Sequence, residues 1–231
     1  MAKPISIAID GPAGAGKSTI ARRLAKELGF YYVDTGAIYR TVAYFFDLWG
    51  VSPKDIDGIT RYIDELTIGI EYDDEGVQHM IMNGMDVTGD IRTPDLSQKA
   101  SLVSAHAIVR DLLLDMQREM AEKHNVIMDG RDIGTVVLPD AALKIFLTAE
   151  PEDRARRRYE ELAAKGEDVT YEEVLKDVIQ RDYNDTHRDI APLRQAPDAV
   201  LANTTGFELE QSVALIRSLV EKRLAGKGEE Q

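Results

Sequence analysis

A glycine-rich segment directly after a β-branched run is the feature that most constrains the fold of this chain. The run Ile5–Asp10 predicts a strand. The next eight residues, Gly11–Ser18, match the pattern G-x-x-x-x-G-K-[ST], and the residues from Lys17 onward predict a helix. A strand, a loop of this pattern and a helix in that order predict a phosphate-binding loop within a parallel α/β core.

The residue types of this loop match the chemistry of an anion site. Glycines let backbone N–H groups turn towards an anion, and the N-terminus of the following helix adds partial positive charge. Lys17 is expected to reach the β- and γ-phosphate oxygens of a nucleoside triphosphate, and Ser18 to ligate Mg²⁺. The loop alone does not distinguish a kinase from a GTPase or a motor ATPase. A plain glycine-rich turn, the alternative, has no need of Gly-Lys-Ser at its end. The expected phosphate-binding residues are Gly11, Pro12, Ala13, Gly14, Ala15, Gly16, Lys17, Ser18 and Thr19.

Further apolar runs extend the parallel pattern. Short runs bounded by turn residues are typical of buried parallel strands. We predict such strands at Tyr31–Asp34, Val126–Asp129, Leu143–Thr148 and Ala199–Ala202. We predict helices at Ala37–Trp49, Pro151–Gly166, Thr170–Arg188 and Phe207–Leu224, with a frayed tail from Gly226.

The middle of the chain interrupts this alternation. Ser52, as N-cap before a proline, predicts a helix to about Leu66. Thr67–Tyr72 and Gln78–Met82 alternate apolar and polar residues around an Asp-Asp-Glu-Gly turn, which predicts an antiparallel hairpin. Thr93–Lys123 predicts a long helical region with a break near its middle. These elements indicate a subdomain inserted into the parallel core.

Length and charge exclude several classes of protein. A chain of 231 residues with 44% hydrophobic residues can bury a core without disulfides. A net charge of −13 repels a polynucleotide backbone. The chain has no cysteine, which excludes disulfides, thiolate metal sites and cysteine nucleophiles. No apolar run has the length of a membrane span, so we expect a cytoplasmic protein.

Arginines cluster on two successive predicted helices. Arg181, Asp185 and Arg188 are spaced by four and three residues, which places them on one helical face. The preceding helix carries a second set, Arg154 with Arg157 and Arg158 three and four residues after it. A solvated, ion-paired surface is one interpretation. The other is a mobile lid that brings positive charge to a transferring phosphoryl group and excludes water.

Polar residues follow two predicted strands at the edge where ligands bind in open α/β sheets. Asp129-Gly-Arg131-Asp132 follows one strand, and the segment from Asp34 to Arg40 follows another. A turn capped by aspartates would also explain the first segment, and an N-cap followed by an ordinary helix would explain the second.

Taken together, these segments resemble the bacterial cytidylate kinases, a family of phosphate-loop nucleoside-monophosphate kinases. The motifs that carry the resemblance are Gly11 to Ser18, Asp34-Thr-Gly-Ala-Ile-Tyr-Arg40, Asp129-Gly-Arg-Asp-Ile-Gly-Thr135, Arg181-Asp-x-x-Asp185-x-x-Arg188 and Ala191-Pro-Leu193. They occur in order along nearly the whole chain. The resemblance implies transfer of the ATP γ-phosphoryl group to CMP or dCMP.

The resemblance also implies an architecture. It predicts an α/β fold with a five-stranded parallel core, an inserted monophosphate-binding domain with a small antiparallel sheet, and a short helical lid. The implied boundaries are residues 1–36, 107–152 and 189–231 for the core, 37–106 for the insertion and 153–188 for the lid. A monomer that acts on small-molecule substrates is expected, without a polynucleotide or membrane partner.

Individual roles follow from the same resemblance. Arg40 and Arg131 match phosphate contacts, and Arg181 and Asp185 match ribose contacts. The implied catalytic residues are Lys17, Arg131, Arg158 and Arg181. The implied CMP-binding residues are Thr35, Tyr39, Arg40, Ser101, Arg110, Arg131, Asp132, Arg181, Asp185 and Arg188. Ser101 and Arg110 also admit a plain helix-surface role.

Two other functions remain open at this point. One is a related small kinase that phosphorylates another monophosphate or a metabolite hydroxyl. The other is a nucleotide-dependent switch, against which the lack of an Asn-Lys-x-Asp guanine motif and the arginine-rich lid both count. We assign no catalytic histidine, and we expect Phe45, Phe46 and Trp49 to be core residues.

Overall fold

Five strands form a parallel sheet in a computed structural model that describes residues 3–226. The strand order is β2-β6-β1-β7-β8. Their bounds are Ser6–Asp10 (β1), Tyr31–Asp34 (β2), Val126–Gly130 (β6), Leu143–Thr148 (β7) and Val200–Asn203 (β8). Asp10 lies opposite Gly130, and Asp34 lies opposite Asp129, so β1, β2 and β6 end side by side. The α/β fold predicted from the sequence is confirmed.

Helices cover both faces of this sheet because its strands are apolar on both sides. On one face, Ile7, Ile9 and Ile127 pack against α1 (Lys17–Leu28) and α8 (Leu209–Gly226). On the other face, the helices are α2 (Thr35–Leu48), α4 (Pro94–Val103) and α5 (Ala107–Lys123). At one edge of this covered sheet, the carboxyl ends of β1, β2 and β6 lie side by side.

An inserted antiparallel sheet follows α2. It comprises β3 (Ile68–Tyr72), β4 (Gln78–Met82) and a two-residue strand β5 (Met85–Asp86), and it is preceded by α3 (Ile56–Tyr62). The hairpin was predicted, whereas β5 was not, because two residues carry no readable periodicity. Tyr72 pairs with Gln78 next to the turn that joins β3 to β4.

Two antiparallel helices, α6 (Pro151–Ala164) and α7 (Tyr171–His187), form a separate layer with a small apolar core of their own. The predicted capping box is present, since Thr170 Oγ1 accepts from the backbone N–H of Glu173 and Glu173 Oε2 accepts from that of Thr170. Arg188 is the C-cap and lies outside the helix, so the prediction that it continues the helical face was wrong.

Other predictions also needed correction. The helix expected at Ser52 begins instead after Asp55, whose Oδ1 caps it, because Ser52 to Asp55 form a turn with Pro53 at its second position. Trp49 is half exposed, while Phe45 and Phe46 are buried as expected. The frayed tail predicted from Gly226 falls largely outside the described residues. Within residues 3–226, no helix is long and apolar enough to cross a membrane.

Candidate active site

The glycine-rich loop joins β1 to α1 and passes very close to neighbouring backbone. Gly11 has φ +152°, and a Cβ there would lie 1.9 Å from the carbonyl oxygen of Leu147. Gly16, with φ +85°, is the N-cap of α1. The loop can adopt this path only with glycine at these positions, and it leaves the helix N-terminus open to the cleft.

Lys17 is buried within this loop. Its Nζ donates to the Pro12 carbonyl oxygen at 2.8 Å. Burial and the nearby Arg131 cation lower the pKa of Lys17 to about 7, against the opposing pull of three aspartates. An anion bound in the loop would favour the charged ammonium.

Ser18 lies beside a buried carboxylate at the end of β6. Its hydroxyl donates to Asp129 Oδ2 at 2.9 Å, and the Tyr32 hydroxyl donates to Asp129 Oδ1 at 2.9 Å. Burial, reinforced by the Asp34 carboxylate, raises the pKa of Asp129 to about 6. A hydroxyl and a carboxylate at this distance are the hard oxygen ligands that Mg²⁺ prefers.

Asp10 is a structural support of the site that the sequence analysis did not identify. Its two carboxylate oxygens accept from the backbone N–H groups of Ile133 and Gly134, both at 2.7 Å. Those groups begin a short π-helical turn, Ile133–Val137, which was not predicted either. Asp10 thereby holds the segment that carries Arg131 and Asp132, and its place at the end of β1 was the available signal.

One end of the site is a mixed set of donors and acceptors around Asp132. Arg110 donates to Asp132 Oδ2, and Arg188 Nη2 lies 3.5 Å from Asp132 Oδ1. Arg188 is itself held by the Ser104 hydroxyl at 3.0 Å and by the carbonyl oxygen of Ala191. The Tyr39 ring lies against Arg110, and burial raises the pKa of its phenol to about 12. This group offers both carboxylate and guanidinium edges to a ligand.

A second ion pair joins the sheet edge to the helical layer. Arg131 Nε donates to Asp185 Oδ2 at 2.7 Å, and Ser101 Oγ donates to Asp185 Oδ1 at 3.0 Å. Arg181 lies one helical turn before Asp185, and its buried Nε has no hydrogen-bond partner within residues 3–226. Burial and the Arg131 cation lower the pKa of Arg181. Like charges so close together favour a bound anion.

Arg40 approaches the same space from α2. Its Nη2 donates to Asp34 Oδ2 at 3.1 Å, while its buried Nε is unpartnered among the described residues. The neighbouring Thr35 hydroxyl donates to the Asp129 carbonyl oxygen at 2.7 Å. Thr35 is thus already engaged with the backbone, whereas Arg40 retains donors for a ligand.

These groups line one continuous cleft of about 990 Å³. Three predicted site residues do not line it. Gly11 packs on β7, Pro12 binds Lys17, and Arg110 stands behind Asp132. The predicted residues that do line it are Ala13, Gly14, Ala15, Gly16, Lys17, Ser18, Thr19, Thr35, Tyr39, Arg40, Ser101, Arg131, Asp132, Arg158, Arg181, Asp185 and Arg188.

The arginines of α6 have different environments. Arg154 is buried and binds Asp182 on α7 together with the carbonyl oxygen of Ala13, so it ties the helical layer to the loop. Arg157 binds backbone carbonyls of the segment after β8. Arg158 lines the cleft with only an exposed partner, Glu161, at 2.9 Å. Of the three, Arg158 is the most readily available to an anion.

Comparison with known proteins shows the family of this chain. A sequence model of the family described as cytidylate kinase matches residues 7–222. The chain belongs to the cytidylate kinase family. The cytidylate kinase of Carboxydothermus hydrogenoformans is 52% identical over 217 residues, covering 94% of this chain and 97% of that protein. The cytidylate kinase of Clostridium tetani is 44% identical over 220 residues, covering 95% of each chain.

Among solved structures, an uncharacterized protein from Eubacterium ventriosum superposes with a TM-score of 0.52 at 13% sequence identity. The match covers 95% of this chain and 99% of that one. A likeness at this identity shows a shared fold and nothing about the ligand.

Proposed function

We propose that this protein transfers the γ-phosphoryl group of ATP to CMP or dCMP, giving ADP and CDP or dCDP. The observation that carries the proposal is that one cleft contains a phosphate-binding loop and, facing it, a separate arginine-rich end. In the reaction, a phosphate oxygen of CMP forms a bond to the γ-phosphorus, and the bond from that phosphorus to the β-bridging oxygen breaks. No covalent enzyme intermediate is required.

The donor end is assigned to the loop from Gly11 to Thr19. Backbone N–H groups and Lys17 would hold the β- and γ-phosphates. Ser18, with Asp129 beside it, would hold Mg²⁺, which would neutralise charge on the phosphates when bound. The segment after β8, including Phe207 and Leu209, lines the same end of the cleft and was not anticipated from the sequence.

The acceptor end is assigned to the residues around Asp185 and Asp132. Arg40 and Arg131 would hold the phosphate of CMP, and Arg181 and Asp185 its ribose. Cytosine presents an amino donor together with ring-nitrogen and keto acceptors, which suits the mixed set of Asp132, Arg188 and, behind them, Arg110. Ser101, Thr35 and Tyr39 complete the walls.

Catalysis would come from positioning and charge neutralisation. Lys17, Arg131, Arg158 and Arg181 surround the space between the two ends, where negative charge collects during transfer. We assign residues 1–36, 107–152 and 189–231 to the core, 37–106 to the monophosphate-binding domain and 153–188 to the lid. The lid would close over the phosphates and exclude water.

We propose that the protein acts as a monomer, which sedimentation at working concentration would test. The proposed reaction uses ATP and free nucleotides, and we propose that it takes place in the cytoplasm.

A coupled assay of ADP release with Mg·ATP across the nucleoside monophosphates tests the function. We expect CMP and dCMP to be clearly preferred over UMP, with AMP and GMP inactive. A preference for another monophosphate, or for a hydroxyl acceptor, would assign the chain to a different kinase reaction. ATP binding with no transfer to any acceptor would favour a nucleotide-dependent switch.

A further inference from the structure

The turn end of the β3–β4 hairpin lies along the outer edge of the parallel sheet. β2 is an edge strand, so its outward backbone groups lack a neighbouring strand. The Tyr72 hydroxyl donates to the carbonyl oxygen of Tyr32 at 2.8 Å. Gln78 Oε1 accepts from the backbone N–H of Asp34 at 2.7 Å, and its Nε2 lies 3.4 Å from the carbonyl oxygen of Asp34. Two side chains of one cross-strand pair therefore form hydrogen bonds to this edge.

The Gln78 contact falls on the residue that holds Arg40. Asp34 Oδ1 accepts from the backbone N–H of Ala37 and caps α2, and its Oδ2 accepts from Arg40 Nη2. Space around this pair is tight, because a Cβ on Gly36 would lie 3.0 Å from Arg40 Nη1 and 3.1 Å from Asp34 Oδ1. The backbone of Asp34 is fixed by Gln78, and its carboxylate fixes Arg40.

The position of Gln78 allows it to hold the backbone of Asp34 in place. Its side chain is 7% exposed and is separated from Asp34 by 44 residues, so the contact is a tertiary one between the insertion and the core. A buried amide that bonds to both the N–H and the C=O of one residue restrains that residue as a strand partner would.

Resting on the function proposed above, we propose that Gln78 is a positioning residue for the acceptor phosphate. It holds Asp34, and through Asp34 it orients the guanidinium of Arg40, a residue that lines the cleft. An arginine held in its binding orientation loses less conformational entropy when an anion binds. The benefit applies only to ligands that carry the 5′-phosphate.

The test compares CMP with cytidine in the variant Gln78→Met, which keeps the shape and apolar contacts but loses both hydrogen bonds to Asp34. We expect the KM for CMP to rise about fivefold to tenfold, as for loss of one net hydrogen bond, with little change in kcat. The inhibition constant of cytidine, which has no phosphate, should stay unchanged. Equal weakening of CMP and cytidine, or an unchanged KM for CMP, overturns the proposal.

A matched control comes from the same cross-strand pair. Tyr72→Phe removes the bond to Tyr32 but leaves Asp34 untouched. We expect it to lower thermal stability without changing the ratio of the CMP and cytidine constants. If Tyr72→Phe changes this ratio as strongly as Gln78→Met does, the hairpin acts only by holding the sheet edge, and the role assigned to Gln78 is wrong.

A double-mutant cycle tests the route through Arg40. In an Arg40→Met background, the added change Gln78→Met should have no further effect on CMP binding. A full effect in that background would show that Gln78 acts elsewhere. If Gln78→Met does not fold, Gln78→Asn, which is too short to reach Asp34, replaces it. The wild-type protein distinguishes failure of the proposed function from failure of the role of Gln78. If the wild-type protein does not phosphorylate CMP, the proposed function is rejected, whatever the Gln78 variants show.

Discussion

Burial and the neighbouring Arg131 both disfavour the charged ammonium form of Lys17, although phosphate binding requires that form. The pKa of the ammonium falls to about 7 because it is buried and lies near Arg131. The phosphates of ATP would reverse this effect by supplying negative charge. Lys17 is therefore a strong candidate for a contact with the transferring phosphoryl group.

We therefore expect Lys17→Ala to lower kcat about 10²- to 10³-fold, as for loss of one transition-state contact, while the fold is kept. Steady-state kinetics and circular dichroism measure the two properties. Lys26→Ala, an exposed lysine on the same helix, is the control and should be unaffected. Near-normal turnover of the folded Lys17→Ala variant would show that the role assigned to the glycine-rich loop in the reaction is wrong.

Arg188 and Asp185 make different contacts in the cleft, so their substitution is expected to have different effects. Arg188 lies beside Asp132 and Ser104, whereas Asp185 binds Arg131 and Ser101. We expect Arg188→Met to lower kcat/KM for CMP strongly and to shrink the preference for CMP over UMP, because a base-reading donor is lost. Asp185→Asn should weaken CMP and dCMP while leaving the CMP-to-UMP ratio nearly constant.

Measurement of kcat/KM for CMP, dCMP and UMP in both variants distinguishes these roles. Arg194→Met, an exposed arginine six residues further on, is the control. If Arg188→Met leaves the ratio intact, Arg188 serves only as an ion-pair partner, and another residue reads the base.

At the scale of an element, the inserted sheet carries a histidine between two carboxylates. His79 Nδ1 lies 2.8 Å from Asp86 Oδ2, and its Nε2 lies 3.4 Å from Asp73 Oδ2. Hydrogen bonds to Asp86 first and Asp73 second raise the pKa of His79 above its usual 6.5. When the imidazole is protonated, its two hydrogen bonds join β4 to β5 through Asp86 and to the β3–β4 turn through Asp73.

A raised pKa in the folded state stabilises the protein below the unfolded pKa, and this gain disappears as pH rises through the folded value. We expect His79→Gln to lower the Tm at pH 5.5 and to match the wild-type protein at pH 8.5. Thermal unfolding at both pH values checks this, and an NMR titration of the ring measures its pKa directly. A Tm difference independent of pH would assign His79 a packing role only.

At the scale of the whole molecule, the inserted domain and the helical layer meet across the cleft. Gln98 Nε2 on α4 donates to Asp177 Oδ1 on α7 at 2.9 Å, near the mouth, and the Ser101 contact with Asp185 lies deeper. These two hydrogen bonds show that the inserted domain and the helical layer are in direct contact. Binding of both nucleotides would favour such an arrangement.

We expect Gln98→Ala to raise the KM for CMP and for ATP together, by about twofold to fivefold, because one exposed hydrogen bond of the closed arrangement is lost. The value of kcat should be unchanged or higher. Gln180→Ala, which removes only a bond within α7, is the control. A rise confined to one nucleotide would make Gln98 a local contact of that nucleotide.

Local patterns in the sequence were sufficient for much of the fold. The strand, loop and helix around Gly11–Ser18, the apolar strands of the core, the capping box at Thr170 and the β3–β4 hairpin were all predicted, because each is encoded within a few neighbouring residues. The same holds for the placement of Lys17, Ser18 and Arg131 at the carboxyl edge of the sheet, since a loop must begin where its strand ends.

Only the tertiary structure decided which charged groups are engaged and which remain free for a ligand. Arg154 is committed to Asp182, Arg131 is paired with Asp185 across 54 residues, and Gln78 reaches Asp34 across 44. Periodicity identifies the face on which a side chain lies but not the distant partner it meets. The pairing depends on how the insertion and the helical layer pack against the core, and that packing is a property of the whole chain.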